Sequence, residues 1–189
     1  MARPFASHCG LARFAVRMAA VYAAWFVAYD LFLLPRGTLD APLSHFVTEA
    51  TAAVVRLFGA EAAVRGREVW MGAAGVYVAD GCNGLAALSL FVGFVLAYPG
   101  TWRRRAWFVP AGLATLVAVN VLRCAFLLYV QAYAPLHFDT LHAYLTSYVF
   151  YAVIFALWMA WTRVGGEASA RGPGSGAFGA APATTLTAA

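Results

Sequence analysis

The chain has 189 residues, of which 63% are hydrophobic and 11% charged. An ordinary soluble domain carries roughly 25% charged residues, so the composition excludes that class and indicates a membrane protein. At roughly 20 apolar residues per crossing, this length holds about four to six helices with short loops and leaves no room for a large soluble domain. The net charge is +5 and all thirteen basic residues are Arg, scattered rather than gathered into the stripe that nucleic-acid binding needs.

Residues 14–34, 82–98, 106–130 and 144–161 are apolar runs read as membrane spans, the second at the lower length limit. The first is read as a retained helix rather than a signal peptide, because it lacks a small-residue cleavage site. Arg3, Arg13 and Arg17 precede the first span, Arg103, Arg104 and Arg105 join the second to the third, and Arg163 and Arg171 follow the fourth. The positive-inside rule makes these regions and both termini cytoplasmic. Segments 35–81 and 131–143 are then extracytoplasmic.

Within the first outer segment Phe46, Ala50, Ala53, Val54, Leu57 and Phe58 recur at helical spacing, which predicts an amphipathic helix ending at Gly59, docked or lying at the interface. Residues 62–71 and 75–79 read as two extended stretches around Gly72, giving a small β-hairpin that leads into the second span. The expected fold is an all-α membrane bundle of about four helices, carrying an extracytoplasmic amphipathic helix and a hairpin. Residues 1–164 form its single domain. Residues 165–189 are rich in Gly, Ala, Pro and Thr, cannot bury a core, and are expected to be a disordered cytoplasmic tail.

Cys9, Cys82 and Cys124 form no CxxC pair, so each is a single thiol. Cys82 stands in Asp80-Gly81-Cys82-Asn83-Gly84-Leu85, where the outer hairpin enters the second span. A cysteine in the first turn of a helix gains from backbone donors and the positive end of the helix dipole. Arg123 interrupts an apolar run, where a central charge costs roughly 2.5–3.5 kcal/mol. Counting about 1.5 Å per residue from Ala106 puts it near the outer edge of the bilayer, at the level of Cys82. Asn120 shares its helix face. Arg123 is read as a substrate or oxyanion group, as an ion-pair partner of Asp30, or as both. His142, just before the last span, is the candidate base, with His137 in the preceding loop as the alternative. A thiol, a guanidinium and an imidazole at one depth suit a cysteine nucleophile. They offer too few ligands for zinc, so neither a metal nor a cofactor is expected. The competing reading is a non-catalytic assembly subunit or a binder of anions or lipid headgroups, in which Cys82 is incidental.

The order Gly81-Cys82-Asn83-Gly84-Leu85, then Asn120-Val121-Leu122-Arg123, then His142 resembles the exosortase/archaeosortase family of integral-membrane cysteine transpeptidases, over residues 62–161. The turn reads Cys-Asn-Gly where many members have Cys-Ser-Gly, and the chain resembles the short members. The resemblance implies Cys82 as nucleophile, Arg123 as essential arginine and His142 at the third, basic position; Asn83 and Asn120, beside the thiol and the guanidinium, are read as substrate-binding amides. It also implies a prokaryotic plasma-membrane enzyme whose substrates are exported proteins ending in a recognition motif, a hydrophobic helix and a basic tail. Cleavage would take place outside the membrane through a thioacyl enzyme, resolved by a lipid, glycan or water acceptor.

Overall fold

An apolar sequence without a continuous polar stripe forms the first helix, α1 (His8–Ala28), which continues into a π-helical turn over Tyr29–Leu33. The computed structural model describes residues 8–170. Next come α2 (Asp40–Leu57), strands β1 (Ala63–Arg65), β2 (Glu68–Met71) and β3 (Ala74–Tyr77), and a 3-10 turn over Asp80–Cys82. Helix α3 (Leu85–Ala97) leads to α4 (Trp102–Tyr133), after which short turns, including α5 (Phe138–Thr140) and a π-helical turn over Leu141–Leu145, enter α6 (Thr146–Ala170).

Among the described residues, three helical stretches are long and apolar enough to cross a membrane: Gly10–Leu33, Trp102–Tyr133 and Pro135–Gly165. The second expected span is α3, whose 13 residues extend about 20 Å, less than a hydrocarbon core of about 30 Å. It is short because the chain around Cys82 folds into a turn rather than helix. The protein is nonetheless the all-α membrane protein that its composition predicts. Helix α6 continues through the first residues of the expected tail, to Ala170; the remainder of that tail lies outside the described residues.

Two layers share α4. At about 1.5 Å per residue its 32 residues reach roughly 48 Å, so its last turns extend beyond one bilayer core. The bundle layer packs α3, α4 and α6 around Phe91, Leu116, Phe150, Ile154 and Trp161. Gly112 of α4 lies directly under Phe91, where an added Cβ would stand 2.1 Å from the ring. At the opposite end from Cys82, Arg105 donates to the carbonyls of Val95, Leu96 and Tyr98. It thereby caps the orphan carbonyls where α3 ends.

The outer layer packs α2 and the sheet on the last turns of α4, through Val47, Ala52, Val55, Val69, Val78 and Leu128. The buried face of α2 is not the one that carries its large apolar residues. Ser44, Val47, Thr48, Thr51, Ala52 and Val55 are inside, whereas Phe46, Leu57 and Phe58 are exposed. Small side chains let α2 approach α4 closely, and the large apolar ones point outward as on an interfacial helix.

The expected hairpin is a three-stranded antiparallel sheet in the order β1-β2-β3. Arg65 pairs with Glu68 and Met71 with Ala74, so each turn has two residues. Gly66 and Gly72 open these turns with φ of 62° and 59°, the Gly-first pattern of type II′ turns. The first of the two expected stretches is thus split by the turn at Gly66.

Candidate active site

Three elements converge on Cys82. The residue ends the 3-10 turn, and its N–H donates to the Ala79 carbonyl at 2.8 Å. It therefore lies before α3 rather than in its first turn, as the sequence suggested. Gly84 is the cap of α3 and adopts φ 89°, a left-handed conformation that glycine takes at little cost. The Asn83 side-chain oxygen accepts the N–H of Leu85 at 2.9 Å, so one of the free donors at the start of α3 is taken by Asn83 and not by the thiol.

The loop is fastened from below. Asn83 and Asn120 are both buried, each 1% exposed. The Asn120 side-chain amide donates to the Cys82 carbonyl at 3.0 Å. Asn83 Nδ2 donates to Asp40 Oδ1 at 2.8 Å, and the Tyr29 hydroxyl donates to Asp40 Oδ2 at 2.9 Å. Arg67 reaches both Ser44 and Asp80. Asp40, 2% exposed, thus ties the end of α1, the start of α2 and the Cys82 turn together. A buried carboxylate is tolerable when its oxygens accept such hydrogen bonds. Neither Asn83 nor Asn120, the amides expected to contact substrate, lines the cavity; each holds the loop that carries the thiol. Asp40 was missed in the sequence because one Asp at a helix start reads as a cap.

Above this floor is a cavity of 560 Å³ that brings together Cys82, Arg123 and His142. Cys82 Sγ lies 3.6 Å from His142 Nε2, within the range of a sulfur hydrogen bond. The His142 ring stacks on Phe138, with centroids 5.7 Å apart and planes 16° from parallel. The Ser147 hydroxyl donates to the His142 carbonyl at 3.2 Å. His137 is exposed and does not line the cavity, whereas His142 does. Asp30 lines a separate cavity with Tyr29, Asp80 and Gly81 rather than the one Arg123 shares with the thiol. Cys124 is buried among Val47, Val78 and Val121 while bordering the main cavity, as a packing residue would be.

The rest of the cavity wall comes from residues 75–79 of β3 and its continuation, from Leu127 and Gln131 of α4, and from Pro135, Phe138 and Asp139. Asp139 was not singled out in the sequence. It precedes His142 by three residues, the separation that puts two side chains on one helical face. Among the described residues no group of three His, Cys, Asp or Glu side chains could hold a metal ion.

A thiol within reach of an imidazole, with a guanidinium on the same cavity, can carry out nucleophilic acyl transfer. Comparison with known proteins gives no match among curated proteins or solved structures. A family model described as transmembrane exosortase matches residues 2–164, which include the whole cavity. The chain therefore belongs to the transmembrane exosortase family.

Proposed function

We propose that the protein is a cysteine transpeptidase that cleaves the C-terminal sorting signal of exported proteins on the extracytoplasmic side of a prokaryotic plasma membrane. The observation that carries this reading is the 3.6 Å approach of Cys82 Sγ to His142 Nε2 on a cavity shared with Arg123. His142 takes the thiol proton as Sγ attacks the scissile carbonyl carbon, and the Arg123 guanidinium stabilises the resulting oxyanion. Collapse breaks the C–N bond, and His142 returns the proton to the departing amine. The thioester left on Cys82 is then attacked by a lipid, glycan or water acceptor, whose proton passes through His142, and the thiol is released.

The arginines at the far end, Arg103, Arg104, Arg105 and Arg163, support a cytoplasmic location for that end. The cavity and both outer segments are then extracytoplasmic. A thiol reagent that cannot cross membranes should label Cys82 in intact cells, and labelling only after permeabilisation reverses the orientation.

The direct test is to co-express the enzyme with an exported protein bearing a C-terminal hydrophobic helix and a basic tail, and to search by mass spectrometry for a thioester on Cys82. Cys82→Ala should insert normally and process nothing. Full processing by that variant excludes Cys82 as the nucleophile and overturns the proposal.

A further inference from the structure

Five consecutive residues, 75–79, line the cavity beside Cys82; the first three belong to β3 and the last two to the segment that follows it. A strand that presented one of its faces would contribute only alternate residues, because successive side chains point to opposite sides. An unbroken run is the mark of a strand edge. Hydrogen bonding agrees: the order β1-β2-β3 leaves β3 with a partner on one side only.

The phase of the ladder identifies which backbone groups that edge offers. Val78 N–H donates to the Arg67 carbonyl at 2.9 Å, which makes Arg67 and Val78 a hydrogen-bonded pair. In an antiparallel ladder such pairs alternate with non-bonded ones. With Glu68 opposite Tyr77, Val69 opposite Val76 and Trp70 opposite Gly75, Val76 therefore bonds inward to β2. Gly75 and Tyr77 direct their N–H and C=O groups outward, along the cavity. Backbone donors and acceptors of this kind are a template for a further strand.

Resting on the transpeptidase reading above, we propose that β3 is the substrate-docking edge, and that the residues preceding the scissile bond add to it as a parallel strand. The direction follows from the topology. Strand β3 runs out of the outer layer into the Cys82 turn and then into α3. A substrate with its folded part outside and its C-terminal helix in the bilayer runs in the same sense. In parallel pairing one substrate residue bridges Gly75 and Tyr77, donating to the Gly75 carbonyl and accepting from the Tyr77 N–H. The edge from residue 75 to residue 79 is about 13 Å long, enough for four or five extended residues. Recognition there reads the backbone, so side-chain specificity falls to the pockets on either side.

The test uses the full chain in detergent micelles and N-acetyl-tetraalanine chloromethyl ketone, a reagent with no special side chains. Cys82 sulfur displaces its chloride to give a thioether, which mass spectrometry locates apart from Cys9 and Cys124. Chloroacetone supplies the same electrophile without a peptide. The peptide reagent should modify Cys82 at least about tenfold faster than chloroacetone, as one or two backbone hydrogen bonds would give. N-methylation of its amides in turn should remove that gain at alternate positions. Tyr77→Pro, which deletes an outward N–H and spares the ladder to β2, should slow the peptide reagent more than it slows chloroacetone, so that the ratio of the two rates falls. Equal rates for the two reagents, or methylation effects without alternation, overturn strand addition while leaving the nucleophile in place. A Cys82 inert even to chloroacetone overturns the transpeptidase reading itself, and docking at β3 falls with it.

Discussion

The Asn120 amide holds the carbonyl of Cys82 from beneath at 3.0 Å, so the helix that carries Arg123 also fixes the backbone of the thiol. Asn120 Oδ1 is buried without a partner among the described residues, which leaves the donor half of the amide as the part that acts. Gly84 rests on the same side chain, with an added Cβ 3.3 Å from Asn120 Nδ2. Replacing Asn120 with Ala orphans the carbonyl and opens a gap, at a cost of about 1–3 kcal/mol. Asn120→Ala should thus lower the thermal midpoint in micelles and slow alkylation of Cys82 by iodoacetamide. A variant that melts earlier yet reacts at the normal rate would show that Asn120 supports the fold and not the thiol.

The two histidines near the last span make opposite predictions. His142 faces the sulfur and stacks on Phe138, whereas His137 is exposed in a short turn. Removing a general base typically costs 10²–10⁴-fold. His142→Ala should therefore reduce processing of a co-expressed substrate by about that factor, and His137→Ala should change it by less than about twofold. Equal losses in the two variants would falsify the assignment of the base. Asp139→Asn offers a graded comparison, since this carboxylate borders the same cavity.

Much of the site was legible because its parts are costly. An arginine in an apolar run and a cysteine between two glycines stand out in a chain with little charge, and both line the cavity. Position was harder to read than identity. Cys82 looked like a first-turn residue because the apolar run appears to start there, but the left-handed Gly84 and the Asn83–Leu85 hydrogen bond delay the helix until Leu85. Asn83 and Asn120 looked like substrate contacts because polarity near a nucleophile suggests one, and only packing reveals that both lie under the loop. Helix α2 was legible as an amphipathic helix, docked or interfacial, but the side it buries was not: Ser44, Thr48 and Thr51 face inward. A membrane protein can leave apolar side chains outside, so amphipathic periodicity no longer tells which side is in.

Asp40 carries the second tie to the loop. Its two oxygens accept from Tyr29 and Asn83, which joins three segments distant in sequence. Asp40→Ala takes the acceptor from the half-buried Tyr29 hydroxyl and leaves the buried Asn83 amide only its longer 3.4 Å contact to Ser44, a loss of about 1–3 kcal/mol. Tyr29→Phe removes one donor and keeps the ring stacked on Trp25, so about 1 kcal/mol is expected. A double-mutant cycle between Tyr29→Phe and Asn83→Ala, read by thermal unfolding in micelles, should show coupling because both act through one carboxylate. Strict additivity would mean that the two hydrogen bonds work independently and that Asp40 is not their common support.

The bundle below the site depends on the absence of a side chain at Gly112. The Phe91 ring, fully buried, fills the space where a Cβ would come within 2.1 Å of Cζ. Overpacking of this kind costs typically about 1–3 kcal/mol, because the ring leaves its rotamer or α3 moves away from α4. Movement of α3 would pull on Gly84 and hence on the Cys82 turn. Gly112→Ala should accordingly lower both the thermal midpoint and the alkylation rate of Cys82. Adding Phe91→Leu makes room for the methyl group and should restore part of each. Rescue in the double variant ties both losses to one steric contact. If Phe91→Leu instead worsens the Gly112→Ala defect, the cavity left by the ring outweighs the clash, and close packing of α3 on α4 is not what limits the site.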